Sequence, residues 1–223
     1  MDESEHVVRL RSLFEAARDP EQAPPMRAYT KDQFTYLGIK TPDRRRLQRQ
    51  AWSGLTKPNV GELEAVLRAL WTGPEREYQY AACDLLRGEA GVCPPSFLGV
   101  VEFVILTDSW WDTVDALAVH GAGRLVRDHG LGEEMDRWCD SGEPWLERAA
   151  LIHQLAWKAD TDTDRLTRYC RTHAASTWFF HRKAIGWALR EYAKTDPEWV
   201  RTFVDEMGEE LSGLSRREAT KHL

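Results

Sequence analysis

Four alanines recur at a fixed interval. Ala82, Ala116, Ala150 and Ala184 each stand 34 residues from the next, and each is followed by an apolar residue: Cys83, Leu117, Leu151 and Ile185. Apolar residues around them recur every three or four positions, as amphipathic helices require. Each alanine falls mid-way along the second helix of a predicted helix pair. A period of this size marks stacked helical repeats, in which each unit buries a face against its neighbours.

The helical pattern covers most of the chain. It predicts helices over residues 4–18, 59–72, 75–88, 95–107, 110–127, 132–140, 144–158, 162–174, 178–193, 196–209 and 214–222, with a short piece around 26–34. Another opens at Thr41-Pro42-Asp43, with Thr41 as N-cap, Pro at the first position and an acid in the first turn. Gly73-Pro74, Pro94-Pro95, Gly130, Gly142 and Pro197 punctuate the series. No alternating strand pattern competes. The expected fold is all-α, a degenerate HEAT-like solenoid in one domain, with N-terminal helices over 1–55 and helix pairs over 59–223.

Composition narrows the function classes. Hydrophobic content of 42% and charged content of 30% suit a globular protein with a real core. The formal charge of −6 argues against nucleic acid as a partner, although that concerns the sum and binding depends on where charges sit. Cys83, Cys93, Cys139 and Cys170 form no CxxC, and no His stands at zinc-ligand spacing from them. They read as buried thiols of a reducing compartment. The N-terminus lacks the apolar core of a signal peptide, and no run approaches membrane-spanning length, so a cytoplasmic protein with no membrane partner is expected. No P-loop, nucleotide fingerprint, helix-hairpin-helix glycine motif or iron–sulfur cysteine set is present, and neither a metal nor a cofactor is expected.

The register sorts the unusual residues. With the shared alanine as origin and about 100° per residue, Trp111 (−5), Asp115 (−1), Arg148 (−2) and Trp187 (+3) fall within an arc of roughly 140° centred away from the alanine. Lys183 and Arg190 share it. The stretch Ser109-Trp110-Trp111-Asp112-Thr113-Val114-Asp115 places Trp111 and Asp115 one turn apart on one helix face. An indole beside a carboxylate suits a cationic or electron-poor group. Position −5 also holds Trp145 and Phe179, so an aromatic packing ladder is the competing reading of Trp111. Asp112 falls just outside the arc.

Four stretches carry a family resemblance: MRAYTKDQFTYLGIKTPDRRR (26–46), TDSWWDTVDALA (107–118), WLERAALIHQL (145–155) and FFHRKAIGWALREYAKTDPEWVRTFV (179–204). In this order they resemble the AlkD family of HEAT-like-repeat DNA alkylation-repair glycosylases. The resemblance implies a solenoid whose basic concave face grips duplex DNA. It implies hydrolysis of the N-glycosidic bond of cationic N3- and N7-alkylated purines, as the first step of base excision repair, without flipping the lesion into a pocket. By motif, Trp111 and Asp115 match the catalytic Trp and Asp, Arg148 the Arg of W-x-x-R, and Trp187 the Trp of K-A-I-G-W. Tyr29 matches a Tyr that lies beside DNA. Lys40 and Thr41 sit in the LGI-x-TP loop, where the best-known members carry a different polar residue at the Lys position. A lysine there would add phosphate affinity rather than base reading.

On this reading Asp115 stabilises an oxocarbenium-like transition state and orients the attacking water, Trp111 and Trp187 pack on the sugar, and Arg148 holds a nearby phosphate. The DNA contacts would include Tyr29, Lys40, Thr41, Arg45, Lys183 and Arg190. Arg44, Arg45, Arg46 and Arg49 form a basic run after the loop, within which Arg46 is expected to pack its stem. Arg182 joins Lys183 and Arg190, and Arg216, Arg217 and Lys221 lie near the C-terminus. His153 shares the +3 position with Trp187 and so falls on the DNA side of the wheel, without a catalytic role; Trp138, Trp157 and Trp199 read as core. The expected partner is duplex DNA containing alkylated purines, bound by a monomer in the cytoplasm, at the nucleoid. The alternatives are a non-catalytic relative that binds distorted or branched DNA, a self-resistance glycosylase for bulky natural-product adducts, and a repeat scaffold for proteins.

Overall fold

The structure, a computed structural model, describes residues 4–223. Among these residues it is all-α, with no strand and a single isolated β-bridge, Thr35 to Glu75. No helix among them is long and apolar enough to cross a membrane. Two compact units divide at Cys93–Pro94.

The first unit holds α1 (Glu5–Ala16), α2 (Ala23–Tyr29), α3 (Thr41–Trp52), α4 (Val60–Trp71) and α5 (Arg76–Glu89). Val7, Leu10 and Phe14 line one face of α1, which packs on α3 and α4. Asn59 and Glu62 form a reciprocal capping box that starts α4. The predicted cap of α3 is displaced by one residue. Lys40, in extended backbone, is the N-cap, because its carbonyl is the first to accept a helical bond, from Arg44 N at 2.9 Å. Thr41 and Pro42 follow as the first two helical residues. Pro42 costs nothing there, since first-turn N–H groups lack helical acceptors.

The second unit holds α6 (Leu98–Leu106), α7 (Trp111–Ala116), α8 (Gly123–His129), α9 (Gly132–Cys139), α10 (Pro144–Ile152), α11 (Thr163–His173), α12 (Phe179–Tyr192), α13 (Pro197–Met207) and α14 (Gly213–Ala219). The helix predicted over 110–127 is interrupted by a π-helical stretch, Leu117–Ala122, between α7 and α8. Such bulges re-aim the side chains around them and recur at functional sites. The helix predicted over 144–158 stops at Ile152, where Gln154 turns to bond the Asp162 backbone N–H at 2.7 Å and fixes the loop.

Second helices of successive pairs pack on one another in chain order: α7 with its π stretch on α10, α10 on α12, and α12 on α14. Ala150 and Ala184 are buried at these positions as predicted, and Ala82 is buried in α5. Ala116 is only half-buried, since it borders the π stretch, and Ala118 takes the fully buried place. Gly186 permits a close approach of α12 to α14; a Cβ there would stand 2.5 Å from Cβ of Glu218. All four cysteines are buried thiols, and Trp138 is fully buried. Trp157 and Trp199 are half-buried.

Candidate active site

Trp111 is the first residue of α7, and Asp115 follows one turn later on the same face. Arg148 reaches Asp115 from α10. Its Nε donates to Oδ1 at 2.7 Å and its Nη2 to Oδ2 at 2.8 Å, while Nη1 donates to the Phe180 carbonyl at 2.6 Å. The fork geometry makes this a rigid bidentate pair. Each carboxylate oxygen accepts one bond from Arg148 and keeps capacity for a second donor.

An open cavity of about 380 Å³ is lined by Trp111, Asp115, Arg148, Phe179, Phe180, Lys183, Trp187, Arg190 and Glu218. All four residues predicted to be catalytic therefore converge, from α7, α10 and α12. Lys183 and Arg190 join them, each held by one carboxylate: Lys183 Nζ donates to Glu218 Oε1 at 2.8 Å and Arg190 Nη1 to Oε2 at 2.6 Å. Lys183 in turn holds the Glu218 carboxyl below its ordinary range. Burial pushes the Asp115 carboxyl above the ordinary carboxylate range; Arg148 opposes the shift and the charge of Asp112 adds to it.

Arg148, expected to hold a phosphate, is engaged within the protein: its side chain is only 4% exposed and its guanidinium is bonded to Asp115 and the Phe180 carbonyl. Packing between α7 and α12 leaves this head group with protein partners. His153 is also moved, to the core: it is 1% exposed, donates through Nδ1 to the Ala150 carbonyl at 2.7 Å, and is pushed down by burial to about 4. The packing ladder exists, yet it is built from Trp110. Trp110 lies 5.8 Å from Trp145 and 5.3 Å from Phe180 between ring centroids, and Trp145 lies 4.9 Å from Trp178. Adjacent tryptophans thus face different ways, Trp110 into this aromatic cluster and Trp111 into the cavity.

A family model for DNA alkylation repair enzymes matches residues 10–223. The chain belongs to that family. A solved structure described as a predicted DNA alkylation repair enzyme from Enterococcus faecalis is 34% identical to it, at a TM-score of 0.83, covering 92% of this chain and 96% of that one. No curated protein matches.

In this DNA alkylation repair enzyme the remaining predicted contacts lie in the first unit. Tyr29 ends α2 and is 65% exposed; Lys40 and Thr41 are exposed at the start of α3. Leu37, Gly38 and Ile39, before Lys40, donate their N–H groups to the buried Glu77 carboxylate at 2.9–3.0 Å. Arg45 is engaged bidentately by Asp84, which also pairs with Arg44 at 2.8 Å. Arg44, at 4% exposure, is the arginine of the run that packs, and Arg46 is exposed; the helix turns Arg44 toward the face shared with Leu47 and Gln48.

Glu77 and Glu218 were not singled out from sequence. For Glu218 a signal existed, since one further 34-residue step from Ala184 lands on it.

Proposed function

We propose that this chain is a monofunctional DNA glycosylase that hydrolyses the N-glycosidic bond of cationic N3- and N7-alkylated purines in duplex DNA, leaving an abasic site. The observation that carries this reading is the Asp115 carboxylate, clamped by Arg148 at the base of a cavity lined by Trp111 and Trp187. A positively charged base is already a good leaving group, so the chemistry needs no general acid. It needs negative charge against the oxocarbenium-like sugar and a positioned water. Asp115 supplies the charge without reorganising, because Arg148 fixes both its oxygens. Its free lone pairs orient the water and accept its proton. Indole faces of Trp111 and Trp187 favour a sugar that gains positive charge.

Lys183, the lysine at this cavity, is bonded to Glu218 rather than poised as an amine nucleophile, which supports simple hydrolysis. With Arg190 it supplies positive charge for flanking phosphates, and Lys40 and Thr41 supply a second contact. The cavity is open, and Phe179 beside it is 55% exposed. An open cavity of this kind does not enclose the base, which supports excision without base flipping and tolerance of bulky adducts. Release of 7-methylguanine from methylated duplex DNA by the wild type, and its loss in Asp115→Asn, tests the reading. No release by the wild type, with DNA binding intact, overturns it in favour of a non-catalytic DNA-binding relative.

A further inference from the structure

The repeat register brings together residues that linear spacing leaves unrelated. Cys139 and His173 stand 34 residues apart, as do Glu147 and His181. Cys139 closes α9, His173 closes α11, and Glu147 and His181 lie in the first turns of α10 and α12. Glu147, His173 and His181 meet between two successive helix pairs, and Cys139 stands beside them against His173. One ring nitrogen, Nε2 of His173, is 3.4 Å from Cys139 Sγ, and Nε2 of His181 is 3.2 Å from Glu147 Oε2. Ligand atoms of Glu147, His173 and His181 lie within 4.8 Å of one another. Cys139 is fully buried and both imidazoles are at most 7% exposed.

We propose that Cys139, His173, His181 and Glu147 form a structural zinc site that ties the α9–α10 pair to the α11–α12 pair. One thiolate, two imidazoles and one carboxylate are a tetrahedral set suited to zinc, and four protein ligands leave no open position for catalysis. Bonds of about 2.0–2.3 Å place tetrahedral ligands roughly 3.3–3.8 Å apart. Two edges of the quartet, at 3.4 and 3.2 Å, are at or close to that length; Glu147, His173 and His181 draw together from within 4.8 Å, and the Cys139 side chain must swing from His173 toward the other two. A dication with a thiolate and a carboxylate is neutral in sum, which suits burial. The outer contacts are those a zinc site uses to aim its ligands. Ser176 Oγ stands 3.0 Å from His181 Nδ1, and the Gly142 N–H bonds Glu147 Oε1 at 3.1 Å, leaving Oε2 for the metal. On binding, the Cys139 thiol proton passes to solvent. The Nε2 protons of both imidazoles must also leave the metal-facing nitrogens: His181, whose Nε2 otherwise faces the Pro144 carbonyl at 3.2 Å, takes the Nδ1 tautomer that donates to Ser176, and His173, whose Nε2 otherwise donates to the Cys139 carbonyl at 3.0 Å, likewise moves its proton to Nδ1.

The test uses the full chain and zinc or cobalt as probes, with metal analysis and absorption spectroscopy as readouts that do not depend on excision. The expected results are one zinc per chain after gel filtration without chelator, and a cobalt derivative with tetrahedral d–d bands and thiolate-to-cobalt charge transfer. Cys139→Ser should abolish the charge transfer, and Cys139→Ser or Glu147→Gln should weaken zinc by at least about tenfold. Failure of the wild type to retain zinc after loading overturns the proposal, as does unchanged zinc affinity in both variants. Should the serine variant not fold, the wild-type cobalt spectrum still decides: a bound ion without thiolate charge transfer overturns it.

Discussion

Arg148 holds both carboxylate oxygens of Asp115, at 2.7 and 2.8 Å, from the second helix of the next repeat. The acid at the centre of the cavity is therefore oriented by another element, and its charge and its geometry are separable. Asp115→Asn keeps the shape and removes the charge; single-turnover excision of 7-methylguanine should fall by about 10²–10³. Arg148→Lys keeps a cation but loses the fork, and should cost about 10–100-fold with DNA affinity changed much less. A variant that loses DNA affinity in proportion to its rate would return Arg148 to the phosphate role.

Burial raises the Asp115 carboxyl above the ordinary range. Catalysis requires the ionised form, so the rate should rise with pH through that raised value and fall below it. In Arg148→Met the opposing cation is gone, and the acid limb of the single-turnover rate should move to higher pH. An unmoved limb would mean that another group titrates.

The helix-pair order and the converging cavity residues were legible because both follow from a register that survives in the sequence. Trp111, Asp115, Arg148 and Trp187 share an arc, and a wheel needs only numbering to find it. The wheel says nothing of partners. It put Arg148 on the cavity side, where the residue does stand, but could not show that the Asp115 carboxylate takes up its head group. It placed His153 beside Trp187 in register, and His153 does keep helical backbone as the C-cap of α10, but its ring turns back onto the Ala150 carbonyl and is buried, which a wheel cannot show. The π stretch after Ala116 was likewise illegible, since its sequence, LAVHGA, fits an α-helix equally well. Family resemblance, rather than periodicity, pointed to the chemistry.

Trp110 and Trp111 should separate in mutagenesis. Trp111→Phe removes indole surface from the cavity and should lower excision about tenfold while thermal stability stays near wild type. Trp110 carries a buried indole N–H without an acceptor. Trp110→Phe loses some packing but also relieves that unsatisfied donor, so its stability should lie within about 1 kcal/mol of wild type, and excision should persist. Reversal of this pattern would make Trp111 the packing residue.

The loop before Lys40 is held by two features that a differential scanning experiment can weigh. Gly38 has φ +94°, and a Cβ there would stand 2.0 Å from the Asp19 carbonyl oxygen. Gly38→Ala should cost roughly 2–3 kcal/mol, a drop in Tm of about 5–10 °C. Glu77→Gln leaves an amide where three N–H groups need an anion, and should cost about 1.5–3 kcal/mol. A neutral Glu77→Gln variant would show that the loop is set by Gly38 alone.

Glu218 bonds Lys183 and Arg190 at once and neutralises part of the charge they would offer to DNA. Its removal has two opposed effects. The site gains net positive charge, so binding to undamaged duplex should tighten a few-fold at low salt, with a steeper fall as salt rises. The two cations also lose the anchor that sets their spacing, so phosphates bind in more than one register and excision should slow. Glu218→Gln is the suitable variant, since Gly186 packs against this side chain and a smaller residue would leave a gap. Fluorescence anisotropy over a salt series, alongside single-turnover excision, reads both effects. If binding weakens instead, the carboxylate acts by keeping α12 and α14 together rather than by restraining the cations. If binding and excision are both unchanged, Lys183 and Arg190 do not touch DNA.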